Sequence, residues 1–515
     1  MAQRSKATTI PVLLQLPLFV QLMATGSVAM LLPAIHAFAL DQHRVAQPFF
    51  YGAVLFGFLT ALIGLGTFRQ PVRNVPRSQL LTLVAAFLAL PVMLAVPLHE
   101  ARPSMSFFNA YFEMVSSITT TGASIFDTPH LIPDPIHLWR GIVGWMGGFL
   151  VIVSAVAILA PMTLGGFEVL RPTPSSGGLP GSGAQLARAT EPNKRVARFT
   201  AQVLPVYVSL TLIIWLLQVI SGTGSFNGVM IAMATMSTSG ILPLRTLAEL
   251  GMSVPAEIAI FVFLFIAVTR QVTWLPFDKH YSSSLRNDPE MRVALCFVVL
   301  VPLALWFRHF IGAIEVNEES DVLSAVRALW GAVFTVLSFL STTGFVSGDW
   351  ETARDWSALP TPGLVLAGLA ILGGGVATTA GGVKLLRFYA LYKHGVREME
   401  KLVHPSSIGS GGRLGRGMRR EGAFIAWIFF MLFALSIAGV VVALAFTGLG
   451  FEESVIFALS GLSTTGPLIY VALDESASYA SLSTGSKSIL IWAMVLGRME
   501  TLAIIALFNP DFWRR

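Results

Sequence analysis

Long apolar runs recur from Pro11 to Phe508, separated by polar segments that carry nearly all of the charge. A helix that crosses a bilayer needs about 20 consecutive apolar residues. Ten runs meet that length: Pro11 to Leu40, Pro48 to Phe68, Gln79 to Leu98, His137 to Leu164, Ala197 to Ile220, Pro255 to Phe277, Met291 to Ala313, Pro362 to Leu391, Gly422 to Phe446 and Ser488 to Phe508. The even number places both termini on one side. Four more apolar segments, ending before Thr119, Ser237, Ser341 and Ser463, are only about 12 to 16 residues long and close in Ser/Thr/Gly strings. They are too short to cross and are predicted as re-entrant helices. The first run is too long for a secretory signal, lacks a small-residue cleavage site and is followed at once by another apolar run, so it is read as a retained span.

Composition agrees with a multi-spanning membrane protein: of 515 residues, 54% are apolar and 12% charged. The single cysteine, Cys296, permits no intrachain disulfide and is expected as a small buried residue. The nine histidines show no H-E-x-x-H spacing, and no phosphate-binding G-x-x-x-x-G-K-[ST] loop occurs, which argues against a metalloprotease or an ATP-driven pump.

Charge is sided. With the ten spans in place, 24 of 34 basic residues fall on the side of the termini, which the positive-inside rule makes cytoplasmic, and 18 of 28 acids fall opposite. An acidic outer vestibule concentrates cations, although an ordinary solvated surface would look the same loop by loop. The segment Arg171 to Asn193 is rich in Pro, Gly and Ser and reads as a flexible cytoplasmic connection. The basic stretch His404 to Arg420 suits lipid headgroups or a cytoplasmic partner, and equally a plain positive-inside signal.

The pattern [ST]-T-[ST]-G occurs four times: Thr119-Thr120-Thr121-Gly122, Ser237-Thr238-Ser239-Gly240, Ser341-Thr342-Thr343-Gly344 and Ser463-Thr464-Thr465-Gly466. The glycines are 118, 104 and 122 residues apart, and each interval holds two long spans. The repeating unit is therefore span, short helix, string, span. Ile118, Met236, Leu340 and Leu462 stand four residues before each glycine, and Phe112, Met230, Phe334 and Ile456 ten before. Six before stand the small residues Ser116, Ala234, Ser338 and Ser460, suited to close helix packing.

Backbone that leaves a helix at membrane depth exposes carbonyls, which is tolerated only where protein buries them or water reaches them. Glycine reaches positive φ and lets neighbouring carbonyls turn together. Four such strings around one axis would replace the water shell of a monovalent cation, and the C-termini of the short helices would favour positive charge there.

With these strings the chain resembles the Trk/Ktr/HKT superfamily of potassium transporters, most closely the Trk-type membrane subunit of bacteria. The resemblance covers nearly the whole chain. It rests also on Leu138-Trp139-Arg140 with Trp145, Gly147 and Gly148; on Asp288-Pro289-Glu290-Met291-Arg292; on Gly373-Gly374-Gly375 through Gly381-Gly382-Val383-Lys384 with Leu402-Val403-His404-Pro405; and on Gly497-Arg498-Met499-Glu500 with Phe508 and Phe512-Trp513-Arg514. It implies an all-α polytopic fold of four pseudo-symmetric span/pore-helix/filter/span repeats around a central pore, preceded by two extra helices. The units are then an N-terminal pair at 1–70, repeats at 71–170, 197–285, 286–403 and 421–515, a flexible loop at 171–196 and a basic linker at 404–420. It also implies a potassium-binding filter of Thr120, Thr121, Gly122, Thr238, Ser239, Gly240, Thr342, Thr343, Gly344, Thr464, Thr465 and Gly466.

The eighth span carries Gly373, Gly374, Gly375, Thr378, Thr379, Gly381 and Gly382 in one run, which weakens a helix and lets it bend or unwind; tight packing is the other reading. The resemblance implies an intramembrane gating loop at 373–382. It places Arg498 in the pore beneath the filter, where fixed positive charge would raise the barrier to cations; a structural pairing elsewhere remains open. Glu500 points to another helix face.

The second string ends Ser239-Gly240 where the family more often has threonine, and the fourth has Pro467 after its glycine. In plant relatives a serine at the first filter glycine goes with sodium transport, so Gly122 favours potassium. The expected function is potassium uptake across the plasma membrane, the inner membrane of a bacterium, with no catalysis and no organic cofactor. The resemblance implies a homodimer and a cytoplasmic nucleotide-binding regulatory subunit of the Trk/Ktr type. A potassium-proton or potassium-sodium symporter would need a titratable group in the path, for which Glu113, Asp127 and Glu453 lie nearest the strings; a sodium-conducting variant shares every motif.

Overall fold

The computed structural model describes residues 16–68, 75–162, 164, 166–169, 192–269, 288–312, 322–357, 359, 361–404, 420–473 and 477–499. Every regular element among them is helical. The chain opens with α1 (Leu18–Ala29), α2 (Leu31–Ala39) and α3 (His43–Thr67), α3 packing back on the other two. Next come α4 (Val75–Leu88) and α5 (Leu90–Ala101), separated at Ala89 where Pro91 enters the first turn of α5. Proline lacks the N–H that would tie it to the preceding turn, so the stretch breaks there.

A short helix, α6 (Phe107–Ile118), begins at Ser106, whose side chain accepts the Asn109 N–H at 3.2 Å. It is followed by α7 (Asp134–Ser154), which runs on through a π-helical turn to Met162. A long helix, α8 (Pro192–Ile220), and a short one, α9 (Ser225–Ser237), follow, and then α10 (Val254–Val268). After it come α11 (Pro289–Gly312), α12 (Val322–Leu340), α13 (Trp350–Ser357), α14 (Pro362–Leu372) and α15 (Leu385–Val403). The last elements are α16 (Arg420–Ala445), α17 (Phe451–Ser463), a single turn α18 (Ile469–Ala472) and α19 (Thr484–Met499).

Among the described residues eight helical stretches are long and apolar enough to cross a membrane, or nine if α13 and α14, bent against each other, count as one. This defines an all-helical polytopic membrane protein. The difference from ten has identifiable sources. The sixth expected span is represented by α10, which stops at Val268 before extended backbone at Thr269, and its remainder to Phe277 lies outside the described residues. The eighth is broken after Leu372 and resumes only at Leu385, and the tenth is described as far as Met499. Conversely α12, expected to be too short, has 19 residues. Its first two turns, with Val322, Leu323 and Val326 exposed beside Arg327, extend it beyond the buried part.

Burial orders the helices. The window Asp134–Met162 is 78% buried, whereas Pro289–Arg308 and Gly422–Ala445 are 22% buried, so α7 lies inside the bundle and α11 and α16 face outward. Outward side chains such as Phe58, Leu65, Leu300, Phe430 and Leu435 are apolar, as a lipid-facing surface requires. Cys296 is exposed on outward-facing α11, contrary to the expected burial; in lipid a small soft side chain has no water to avoid. The eight apolar positions four and ten residues before the string glycines are all buried.

Two linker boundaries shift. The expected loop 171–196 ends early because α8 starts at Pro192, a residue suited to a first helical turn, and 170–191 lie outside the described residues. Of the linker 404–420, residues 405–419 lie outside the described residues and Arg420 already belongs to α16.

Candidate functional site

The helices α6, α9, α12 and α17, which lead into the four strings, all end in the same way. The second residue of each string has positive φ: 55° at Thr120, 50° at Thr238, 58° at Thr342 and 55° at Thr464. A β-branched residue in this region carries strain of order 1–3 kcal/mol, sustained only where the surroundings over-determine it. Two sets of hydrogen bonds do so. The third residue donates its N–H to the carbonyl six residues before the glycine: Thr121 to Ser116 at 2.9 Å, Ser239 to Ala234 at 3.0 Å, Thr343 to Ser338 at 2.9 Å and Thr465 to Ser460 at 2.9 Å. The first and third hydroxyls pair in every string: Thr119 with Thr121 at 2.8 Å, Ser237 with Ser239 at 2.9 Å, Ser341 with Thr343 at 3.0 Å and Ser463 with Thr465 at 3.2 Å. The pattern [ST]-T-[ST]-G thus has a local cause: hydroxyls are required at positions one and three.

The glycines close the strings upon one another. Gly122, Gly240 and Gly344 have φ of 72°, 64° and 78°. A Cβ on Gly122 would run into the Ser239 carbonyl, on Gly240 into the Thr343 carbonyl, and on Gly344 into the Pro467 ring. Gly466 completes the circuit by donating its N–H to the Thr121 carbonyl at 2.5 Å. It is not among the positive-φ glycines, and with Pro467 and Leu468 it forms a 3-10 helical turn after the fourth string. The order of contact is first to second to third to fourth to first.

Beneath the strings lies the segment between α14 and α15. Its backbone turns at Gly373 (φ 70°), Ala377 (58°), Gly382 (72°) and Lys384 (83°). It folds back on its own ends, with Val383 N–H donating to Ile371 O at 2.8 Å, Lys384 N–H to Leu372 O at 2.9 Å and Leu385 N–H to Gly374 O at 3.0 Å. It is pinned outside as well: Gly375 N–H donates to Ala267 O at 3.1 Å and Val376 N–H to Glu290 Oε1 at 2.9 Å. Gly381 donates to Thr342 Oγ1 at 2.7 Å, and a Cβ there would collide with Ser463 O and Thr464 Oγ1. Thr378 Oγ1 donates to Gly375 O at 2.7 Å, inside the segment itself. Gly374 lies close to Ala267 O, so it too admits no side chain.

Arg498 reaches the same place. It is 8% exposed and its Nη2 donates to Thr379 O at 2.6 Å and to the hydroxyl of Thr120. No carboxylate lies within ion-pair distance among the described residues. Gly497 puts it there: a Cβ on Gly497 would meet the Leu462 carbonyl, as one on Gly147 would meet the Ile118 carbonyl. Glu500 lies outside the described residues. The hydroxyls of Thr238 and Thr464 are buried without a hydrogen-bond partner among the described residues.

The acids nearest the strings are engaged. Glu113 is buried, paired with Arg140 Nε at 2.5 Å, and accepts the Ile125 N–H at 3.0 Å. Arg140 also donates to Ser124 Oγ at 2.8 Å, and Trp139 Nε1 donates to Leu94 O at 3.1 Å, which gives Leu138-Trp139-Arg140 a structural role. Asp127 is exposed and bonded by Ser478, with its carbonyl held by Arg245. Glu453 is exposed and accepts the Gly450 N–H at 3.3 Å, capping α17. Glu290 and Lys384 belonged to motifs quoted from the sequence without a role. Their partners, Val376 N–H and Ala380 O, tie down the segment beneath the strings.

Buried helices in a multi-spanning membrane protein that each hand over to a string of backbone and hydroxyl oxygens are an arrangement suited to moving ions across membranes. The chain belongs to the TrkH family, described as cation transport proteins, whose model matches residues 54–241 and 258–515. It is a transporter and not an enzyme. It is 29% identical over 422 residues to the Trk system potassium uptake protein TrkH of Salmonella typhimurium, covering 80% of each chain. It is 26% identical over 500 residues to the protein of the same name from Vibrio parahaemolyticus, covering 96% of this chain and 97% of that one. The crystal structure of the potassium transporter TrkH from Vibrio parahaemolyticus superposes with a TM-score of 0.77 at 24% identity, covering 98% of this chain and all of the other, which shows a common fold.

Proposed function

We propose that the chain takes up potassium across the plasma membrane through a filter formed by the four strings, in a fold of four repeats behind an N-terminal helix pair. The observation that carries this reading is the cyclic contact of four strings that share a positive φ at their second residue and a returning N–H at their third, each glycine or its neighbour meeting the next string. The names of the relatives, Trk system potassium uptake proteins, support the choice of ion. Carbonyls of Thr120, Thr121, Gly122 and their counterparts replace the hydration shell, and the threonine hydroxyls supply oxygens at the inner end. Potassium is cargo here, driven inward by the membrane potential at about 2.3 kcal/mol per 100 mV, roughly 45-fold accumulation.

The segment 373–384 is the gate in this reading. It occupies the inner side of the strings, and Arg498 bonds it to Thr120 while holding a positive charge in the cation's way. Opening breaks these bonds, each worth about 0.5–3 kcal/mol. The protein works as a homodimer with cytoplasmic termini, and a nucleotide-binding regulatory subunit on that side biases the gate. Among the described residues symport has no bare carboxylate from the expected three to recommend it, since Glu113, Asp127 and Glu453 are all engaged.

The test is rubidium-86 uptake, without valinomycin, into liposomes holding the full chain. Uptake should be competed strongly by potassium and weakly by sodium, and Gly344→Ser should change that order. Robust flux indifferent to Gly344→Ser would sink the four-string filter.

A further inference from the structure

We infer that Glu257, in the first turn of α10, is a positioning residue that sets the ion preference of the third string from a neighbouring unit of the fold. Its side chain is 3% exposed and accepts three hydrogen bonds. Trp330 Nε1 donates to Oε2 at 2.8 Å, Ser347 Oγ to Oε2 at 2.9 Å and Gly348 N–H to Oε1 at 2.8 Å. Trp330 belongs to α12, the helix that leads into the third string, while Ser347 and Gly348 lie three and four residues beyond its glycine. One carboxylate therefore ties the entry and the exit of the string Ser341 to Gly344 together, from an element 90 residues away from Ser347.

The clamp is continuous with the string. Ser347 N–H donates to Thr335 Oγ1 at 3.3 Å, and Phe345 N–H donates to Ser338 Oγ at 2.6 Å, so the exit strand lies along α12 as far as the glycine. Ser347 Oγ accepts from Asp349 N–H at 3.2 Å, which leaves its own proton for Glu257. No lysine or arginine among the described residues lies within ion-pair distance of Glu257, so hydrogen bonds alone hold the carboxylate. Position 113 offers an internal comparison: Glu113 accepts the N–H of Ile125, also three residues past its string glycine, but from its own short helix and balanced by Arg140. Both strings thus have a carboxylate behind the outer strand, and only the third receives it from another unit.

A dehydrated ion is distinguished by how far the oxygens can approach it, so whatever fixes the strand fixes the preference. Releasing the strand lets its carbonyls close on a smaller ion. The inference rests on the filter reading above, and ion binding separates the two without requiring the gate to open. Rubidium-86 binding to the purified full chain is displaced with potassium or sodium, for wild type, Glu257→Gln, Trp330→Phe, the double variant and Gly344→Ser. The Glu257→Gln change turns an NH2 donor toward groups that are all donors, and Trp330→Phe keeps an aromatic ring but loses the N–H.

Each single variant should narrow the potassium-over-sodium ratio by about tenfold, the scale on which supporting partners act on a bound metal. The double variant should narrow it no further, because both changes break one clamp. A ratio within twofold of wild type in the folded variants, with Gly344→Ser still shifted, overturns the inference and leaves the filter standing; a lowered melting temperature alone is then the sign of a mere structural tie. If Glu257→Gln does not fold, Trp330→Phe decides by the same criterion. If Gly344→Ser also binds as wild type does, the filter reading falls and takes the inference with it.

Discussion

The guanidinium of Arg498 donates to the carbonyl of Thr379, 119 residues earlier, and to the hydroxyl of Thr120, 378 residues earlier. One side chain of the last helix thereby joins the first string to the segment beneath it. A buried arginine without a carboxylate partner is costly and is retained where the charge is used. Arg498→Ala should raise basal rubidium-86 flux several-fold in the isolated chain. Flux at or below the wild-type level from a folded variant would mean that Arg498 is structural.

The third-position hydroxyl is needed for its partner two residues before. Thr343→Ala removes the pairing with Ser341 and should cost about 0.5–1.5 kcal/mol, whereas Thr343→Ser keeps the oxygen and should cost less. Thermal unfolding in detergent ranks the three proteins. Equal melting temperatures for the alanine and serine variants would contradict the pairing.

Two glycines separate packing from mere helix propensity. Gly497→Ala drives a methyl into the Leu462 carbonyl and should destabilise by about 1–3 kcal/mol, with a misplaced Arg498 as the functional trace. Gly368→Ala, on an exposed face of α14 with nothing within 4 Å, should be neutral or stabilise by up to about 1 kcal/mol.

Glu290 reaches the segment 373–384 from the start of α11. Glu290→Ala leaves the Val376 N–H without its acceptor, which should loosen the segment 373–384 and raise hydrogen exchange there without altering rubidium binding at the strings. Unchanged exchange across 373–384 would remove Glu290 from the account.

Much of this was legible in the sequence because the strings obey local rules. Hydroxyls at positions one and three answer each other within two residues, and the N–H of position three returns to a carbonyl five residues before it. Such short-range demands leave a repeated word in the chain. The partners of Glu257, Glu290 and Arg498 lie 73 to 378 residues away and leave no periodic mark. The length of α12 was hidden for another reason: its first turns carry Arg327 on an exposed face, and an apolar run interrupted by charge looks shorter than the helix it belongs to.

The most direct test of the central claim is the anomalous signal of rubidium in crystals of the full chain. The account predicts density on the axis between the four strings, ringed by oxygens of Thr120 to Gly122, Thr238 to Gly240, Thr342 to Gly344 and Thr464 to Gly466, and lost on exchange into lithium. Rubidium bound elsewhere, with that axis empty, would contradict it.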